Sequence, residues 1–180
     1  MTPDRPSPDV RVLPLTPNYW SAVAEIYAAG IATGHATFDT DAPTWERFDA
    51  TRRDDCRSVA VDADGRVLGW VTAAPVSDRC AYAGVAEISL YVHPDVSGRG
   101  IGTLLGRAAI DSTERAGIWT ISAGVFAENI ASLRLFRALG FRTVGIRERL
   151  GLMTYGPLAG MWRDVVLLER RSPVVGVTQG

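Results

Sequence analysis

Hydrophobic and polar positions along this chain keep two periods, and the switches between them mark out short elements. Residues 10–15 alternate and predict a first strand. Val23, Ile26, Tyr27 and Gly30 share a face at helical spacing, which predicts a helix over 19–30. A loop over 31–41 follows, and Asp41-Ala42-Pro43-Thr44 opens a short helix reaching about Arg53, with proline near its start. Strand-like runs at 58–62 and 66–74 flank Ala63-Asp64-Gly65, a hairpin signal. Residues 86–92 read as a further strand. Ile101, Leu104, Leu105, Ala108 and Ala109 then recur at helical spacing, giving a helix over 100–116 closed by Gly117. A strand over 120–126 and a helix over 129–139, ended by Gly140, come next. Strands over 143–149 and 161–169, joined by a glycine-rich loop, complete the series. The order is β-α-α-β-β-β-α-β-α-β-β, an α/β class with a mixed sheet. Residues 1–9 are proline-rich and predict a disordered N-terminus, and 172–180 a flexible tail. Neither a repeat nor a linker divides the single domain expected over 10–171.

The segment Ser97-Gly98-Arg99-Gly100-Ile101-Gly102 carries the most chemistry. It joins the strand over 86–92 to the helix that begins at about 100. A glycine-rich turn there leaves several backbone N–H groups unpaired at the positive end of a helix dipole. Glycine also lets a bulky anion approach the backbone. The physical expectation is a diphosphate-bearing ligand at this helix N-terminus. A Walker-type loop is excluded, because it needs Gly-Lys-Ser/Thr and the chain has no lysine, its 19 basic residues all being arginine. A dinucleotide fingerprint needs Gly-x-Gly-x-x-Gly, whereas the spacing here is Gly98-x-Gly100-x-Gly102.

Composition narrows the classes further. At 180 residues, 47% hydrophobic and 22% charged, the chain is long enough for one well-filled core. A net charge of −1 without a basic block gives no reason to expect nucleic acid. No apolar run is long enough to span a bilayer, and the N-terminal residues lack the apolar core of a secretory signal, so a cytoplasmic protein without membrane partners is expected. Cys56 and Cys80 lack metal-ligand spacing and are expected as free thiols; with only His35 and His93 as histidines, no metal site is expected.

The glycine turn resembles the acetyl-CoA loop of the GCN5-related N-acetyltransferases, written Gln/Arg-x-x-Gly-x-Gly/Ala, with Ser97 in place of the usual Gln/Arg. Asn129, Ser132 and Gly140-Phe141 resemble that family's Asn-x-x-Ser…Gly-Phe segment, and the element order is similar throughout. The resemblance narrows to the phosphinothricin acetyltransferase-like subgroup. It is carried by Ala36-Thr37-Phe38-Asp39-Thr40 with Pro43-Thr44-Trp45, and by Ala74-Pro75, Arg79-Cys80-Ala81-Tyr82 and the run Glu87 to Val92. Gly160-Met161-Trp162-Arg163-Asp164-Val165 completes it. The implied fold is a mixed sheet flanked by helices that splays between its fourth and fifth strands, with the pantetheine arm in the opening.

Roles follow from the resemblance, tempered by the residues. Acetyl-CoA would be the acyl donor, held by Leu90, Tyr91 and Val92 and by Gly98, Arg99, Gly100, Ile101, Gly102 and Thr103, with Asn129 and Ser132 on the pantetheine. Asn129 equally suits a helix N-cap. On a strand, Glu87, Ser89 and Tyr91 share one face and Ile88, Leu90 and Val92 the other. Glu87 aligns with the subgroup's catalytic glutamate, the base for the incoming amine. Arg79 would bind an acidic substrate group through its guanidinium fork, with Phe38, Tyr82 and Ser89 around the substrate. Position 136, where many acetyltransferases carry a tyrosine acid, is Phe136, which joins an apolar helical stripe and should pack in the core. Tyr91 and Tyr155 are the substitutes for that acid. The implied activity is acetylation of the α-amine of a small acidic amino-acid analogue, such as phosphinothricin or methionine sulfoximine, by a homodimer. The alternatives are acetylation of a peptide or protein N-terminus and a CoA-binding regulatory module without turnover.

Overall fold

A computed structural model describes residues 9–177, so expectations for 1–8 and 178–180 fall outside the described residues. The strands are β1 (Arg11–Pro14), β2 (Arg57–Val61), β3 (Val67–Pro75), β4 (Val85–Val92), β5 (Thr120–Phe126), β6 (Arg142–Leu152) and β7 (Trp162–Arg171). The helices are α1 (Trp20–Ala32), α2 (Trp45–Thr51), α3 (Ile101–Arg115) and α4 (Ile130–Ala138). One sheet holds all seven strands in the order β1-β2-β3-β4-β5-β7-β6. Every neighbouring pair is antiparallel except β4 with β5. That parallel pairing is short: Val85, Ala86 and Glu87 face Thr120, Ile121 and Ser122, and then it stops. Beyond it β4 follows β3 as far as Val92, while β5 follows β7 as far as Phe126. The mixed sheet flanked by helices is the expected fold class, and the sheet parts at the expected place.

Strand alternation sorts the core onto two faces. On one face Ile88, Ile121, Leu133 and Phe136 pack together beneath α4. On the other, Val23, Ile26 and Tyr27 of α1 and Phe48 of α2 cover Trp70. There the Trp70 and Tyr91 rings, paired across β3 and β4, stack with centroids 4.5 Å apart. Helix α1 differs from the sequence expectation, running past Gly30 to Ala32. Gly30 lies within the helix: a Cβ there would lie 2.9 Å from the Tyr91 ring, so glycine sets how closely α1 approaches β4. Helix α2 is shorter than expected, and its N-cap Thr44 accepts the Arg47 N–H. Strand β6 is longer than expected and lies at the sheet edge with Val144, Ile146, Leu150 and Leu152 exposed. After β7 the chain folds back: Ser172 is buried and its hydroxyl accepts the N–H groups of Val174 and Val175.

One buried cation joins the loop after α1 to the distal half of the sheet. Arg163 of β7 is only 1% exposed and lies over the Phe126 ring, 4.2 Å from its centroid. Its Nη1 donates to Gly34 O at 2.7 Å, and its Nη2 donates to Glu128 Oε2 at 3.0 Å and lies 3.2 Å from His35 Nδ1. Burial, the largest single influence, would raise the Glu128 pKa, but the hydrogen bond from Arg163, a backbone hydrogen bond and the Arg163 charge together outweigh it and hold the carboxyl below the usual range. Removing a buried cation with several hydrogen bonds costs roughly 2–4 kcal/mol. Arg163→Ala should therefore lower the urea midpoint by that equivalent, and an unchanged midpoint would refute the role.

Candidate functional site

Where β4 and β5 separate, a cleft of about 330 Å³ opens through the sheet. The β4 backbone supplies its central wall. The His93 N–H donates to Leu68 O at 2.8 Å, which directs that group towards β3. At the other end of the strand, the Ser122 hydroxyl donates to Ala86 O at 3.4 Å, which directs that carbonyl towards β5. Strand alternation then turns the N–H groups of Leu90 and Val92 towards the side from which β5 has diverged, Ile88 N–H still lying on the last parallel rung with Ser122. These donors suit two tasks, polarising a carbonyl and pairing with an extended amide chain.

Immediately after β4 comes the glycine turn. Gly98 and Gly100 both have φ of 78°, and Gly100 is the N-cap of α3 in the left-handed region, a conformation that favours glycine. No side chain caps this helix. Leu104 donates to Gly100 O at 3.0 Å, so the N–H groups of Ile101, Gly102 and Thr103 precede the first helical bond. Gly102 carries no side chain where a Cβ would lie 2.9 Å from Leu135, so α3 and α4 meet closely beside the turn. The turn lies outside the cleft walls, past the end of β4. Together they form one track, with an anion site at the helix end and amide donors along the strand.

Glu87, Ser89 and Tyr91 all line the cleft and share one face of β4. Glu87 is exposed, and its carboxylate has no side-chain hydrogen bond or ion pair among the described residues. It is free to accept a proton from a group in the cleft. Phe38 also lines the cleft and packs edge-to-face on Phe126, with centroids 4.8 Å apart. Asn129 and Ser132 line it from the start of α4. Asn129 is occupied at both ends, its Oδ1 accepting the Ser132 N–H at 3.1 Å and its Nδ2 donating to His35 O at 3.0 Å. The N-cap expected from sequence is present, together with a tie to the loop that the sequence did not reveal. Arg79 and Tyr82 are not brought to the cleft: both are exposed on the β3–β4 connection, outside its walls.

The residues 35–39 form the facing wall, held by side chains. Tyr27 donates to Asp39 Oδ2, the Thr37 hydroxyl donates to the same oxygen at 3.2 Å, and Tyr155 donates to Thr37 O at 2.9 Å. Burial, then the hydrogen bond to Asp39, pushes the Tyr27 hydroxyl up to about 12. Burial likewise drives Tyr91 well above the tyrosine range; its hydroxyl points at Ala36 O, 3.5 Å away. Tyr155, raised by burial and by the Asp39 charge, lies outside the cleft. Both hydroxyls face the backbone of the 35–39 wall, Tyr91 at Ala36 O and Tyr155 at Thr37 O. Phe136 reaches the cleft from the core, 4% exposed and edge-to-face with Phe141. His93 is structural: its Nδ1 accepts the Asp95 N–H at 3.2 Å, capping a short 3-10 turn.

Asp39 stood in the stretch 36–40 that carries the resemblance, but sequence patterns did not single out Arg52 or Arg147 as lining residues. Their only sequence signal is charge close to apolar runs, a property shared by many solvated positions. Among the described residues, no cluster of histidine, cysteine or acidic side chains could hold a metal ion, and no helix is long and apolar enough to cross a membrane. Cys56 is buried and Cys80 exposed, both as free thiols. Burial, with Asp55 beside it, pushes the Cys56 thiol up to about 11.

Known proteins share this arrangement. The chain is 33% identical over 159 residues to a phosphinothricin N-acetyltransferase of Alcaligenes faecalis, covering 83% of this chain and 76% of that protein. It is 36% identical over 113 residues to a phosphinothricin N-acetyltransferase of Streptomyces coelicolor, covering 62% of this chain. That match spans 63% of the Streptomyces protein, less than two thirds of its length. In three dimensions the fold superposes with a TM-score of 0.81 on the crystal structure of a GNAT superfamily phosphinothricin acetyltransferase from Sinorhizobium meliloti in complex with acetyl-CoA. That superposition covers 96% of this chain and 95% of the other, at 24% identity. The sequence profile of the Acetyltransferase (GNAT) family matches residues 20–141, two thirds of the chain, and the chain belongs to that family.

Proposed function

We propose that this chain transfers the acetyl group of acetyl-CoA to the α-amine of a small acidic amino-acid analogue by direct attack on the thioester. The observation that carries the reading is the position of Glu87. Its unpaired carboxylate stands in the cleft at the point where β4 leaves β5, on the strand that leads to the glycine turn. The turn and the first N–H groups of α3 would take the diphosphate, and the N–H groups of Leu90 and Val92 the pantetheine and thioester. Asn129 and Ser132 stand beside that path, with Asn129 keeping its tie to His35. Substrate specificity is supported by the names of relatives, phosphinothricin N-acetyltransferases and an L-methionine sulfoximine/L-methionine sulfone acetyltransferase from Pseudomonas paraeruginosa.

In the proposed step, the amine nitrogen bonds to the thioester carbon and Glu87 accepts the amine proton, directly or through water. The C–S bond then breaks, and CoA departs as thiolate. A thiol with pKa near about 8.5 leaves acceptably without an acid, which suits Phe136. Arg79 and Tyr82 would act only from the rim. A homodimer belongs to the same proposal, and the exposed apolar residues Ile146 and Trp162 on adjacent strands support it as surface a second copy would cover.

Incubation of phosphinothricin, methionine sulfoximine, methionine sulfone, ordinary amino acids and a short peptide with acetyl-CoA, followed by mass spectrometry, should yield acetylated amino-acid analogues only. An acetylated peptide would instead favour N-terminal transfer. Acetyl-CoA binding without product would favour a regulatory module. Glu87→Gln should lower kcat/KM near pH 7 by roughly 10²–10⁴-fold, with the gap narrowing at higher pH as the free amine loses its proton unaided. Full activity of that variant across the pH range would remove Glu87 from the mechanism. Light scattering should give twice the monomer mass of 19.4 kDa, and a monomer would overturn the dimer.

A further inference from the structure

The cleft that holds Glu87 also contains two arginines with no carboxylate partner. Arg52, which ends α2, and Arg147 of β6 both line it, and neither forms an ion pair among the described residues. Arg52 is distinct within its own surroundings. Arg53 pairs with Asp55 at 2.6 Å, and Arg57 pairs with Asp49. Arg52 has only a hydrogen bond from Nη1 to the Thr51 hydroxyl at 3.2 Å and a position over the Phe48 ring, 5.6 Å from its centroid. Its Nε is buried and has no hydrogen-bond partner. Asp39, which lines the same cleft, already accepts from Tyr27 and Thr37, and Arg52 forms no ion pair with Asp49, Asp54 or Asp55, which border it on its other side.

Backbone register fixes where this cation stands. The Arg53 N–H donates to Ala73 O at 2.8 Å, so the end of α2 is pinned to the middle of β3. Ala73 pairs with Ile88, and its neighbours Thr72 and Ala74 pair with Ser89 and Glu87. Arg52 therefore sits beside the stretch of sheet that presents Glu87 and Ser89. Thr72, 1% exposed and opposite Ser89, also has a buried hydroxyl without a partner. With Trp70 Nε1 on the same face, three buried groups here have no protein partner, a costly arrangement where no ligand completes it.

We propose that Arg52 is the carboxylate anchor for the amine substrate, with Arg147 the second cation of the same cleft, facing the substrate's distal acidic group. The proposal rests on the reading of Glu87 as the base for an α-amine. In an α-amino acid the amine and the carboxylate share one carbon, so a base and a cation lining one cleft match that pair. A guanidinium offers a planar donor fork to a carboxylate, and its position over Phe48 keeps that fork oriented. The arrangement selects amino acids over simple amines, and it locates acid recognition within the cleft rather than on the β3–β4 connection that carries Arg79.

The test compares each amino acid with its α-carboxamide, using the full chain and saturating acetyl-CoA. Arg52→Ala should raise KM for L-methionine sulfone roughly 10- to 100-fold, the loss of a charge-assisted pair, while KM for acetyl-CoA and for the carboxamide stays within about twofold. Arg52→Lys should fall between, keeping the charge without the fork. Arg147→Ala should raise KM for phosphinothricin more than for methionine sulfone. Equal losses on acid and carboxamide would mean that Arg52 is structural and would overturn the proposal. So would an intact acid preference in Arg52→Ala that disappears in Arg79→Ala. Wild-type turnover of carboxamides alone would overturn the anchor but keep the acetyl-transfer reading, whereas no product from any amine would remove both.

Discussion

Everything chemical in this molecule depends on a parallel pairing that ends after Glu87 and Ser122. Had β4 and β5 stayed in register to their ends, the N–H groups of Leu90 and Val92 would be spent on a neighbouring strand. The parting frees them without stranding them in apolar core, because a cleft opens on the same side. It also puts Glu87 at the last shared rung, where the backbone is still held by both neighbours. A catalytic carboxylate gains from that position. The strand is rigid on the β3 side and open on the β5 side, so the group is fixed while its surroundings stay accessible.

The opening has to be kept from collapsing, and side chains rather than sheet bonds do this. Arg163 reaches from β7 to Gly34, Asn129 from α4 to His35, and Tyr155 to Thr37. Tyr27 holds Asp39 from α1. Four separate elements thus hold one short loop, which forms the wall opposite β4. This explains why an arginine is buried on a strand that otherwise packs valine and leucine. Its charge is compensated by Glu128 and its plane by Phe126, and its hydrogen bonds reach backbone that no ladder could satisfy.

Much of the fold was legible because periodicity reports burial directly. The strand over 120–126 and the helix over 129–139 stand within a residue of observation, since each has one plainly apolar face. The periodic face of α1 ends at Gly30, two residues short of the observed helix end, and why a glycine stands there is visible only once Tyr91 is placed beside it. The glycine turn and Glu87 were visible as local patterns. Arg52 was not, because its significance lies in a hydrogen bond from its neighbour to Ala73, on a strand that sequence places apart. Arg79 shows the converse: a recognisable stretch of sequence marks a resemblance, but which arginine enters the cleft depends on packing.

Phe136 brings these threads together. It sits at the edge of the cleft with its ring against Phe141, in a core position. A hydroxyl there would have to be desolvated against Leu133 and Leu139, which share its cluster. Burial already holds Tyr27 and Tyr91, on the opposite face, firmly protonated and bound to the wall loop. The site therefore concentrates its polar chemistry on the α1 and α2 face, where the amine must lose a proton, and leaves the α4 face apolar beyond Asn129 and Ser132 at the helix start. A thiolate leaving group tolerates that asymmetry, because sulfur needs a proton less than an alkoxide or amide nitrogen does. What the leaving side lacks in acid it offsets with the N–H donors of β4, which act on the carbonyl oxygen in the transition state rather than on the departing sulfur.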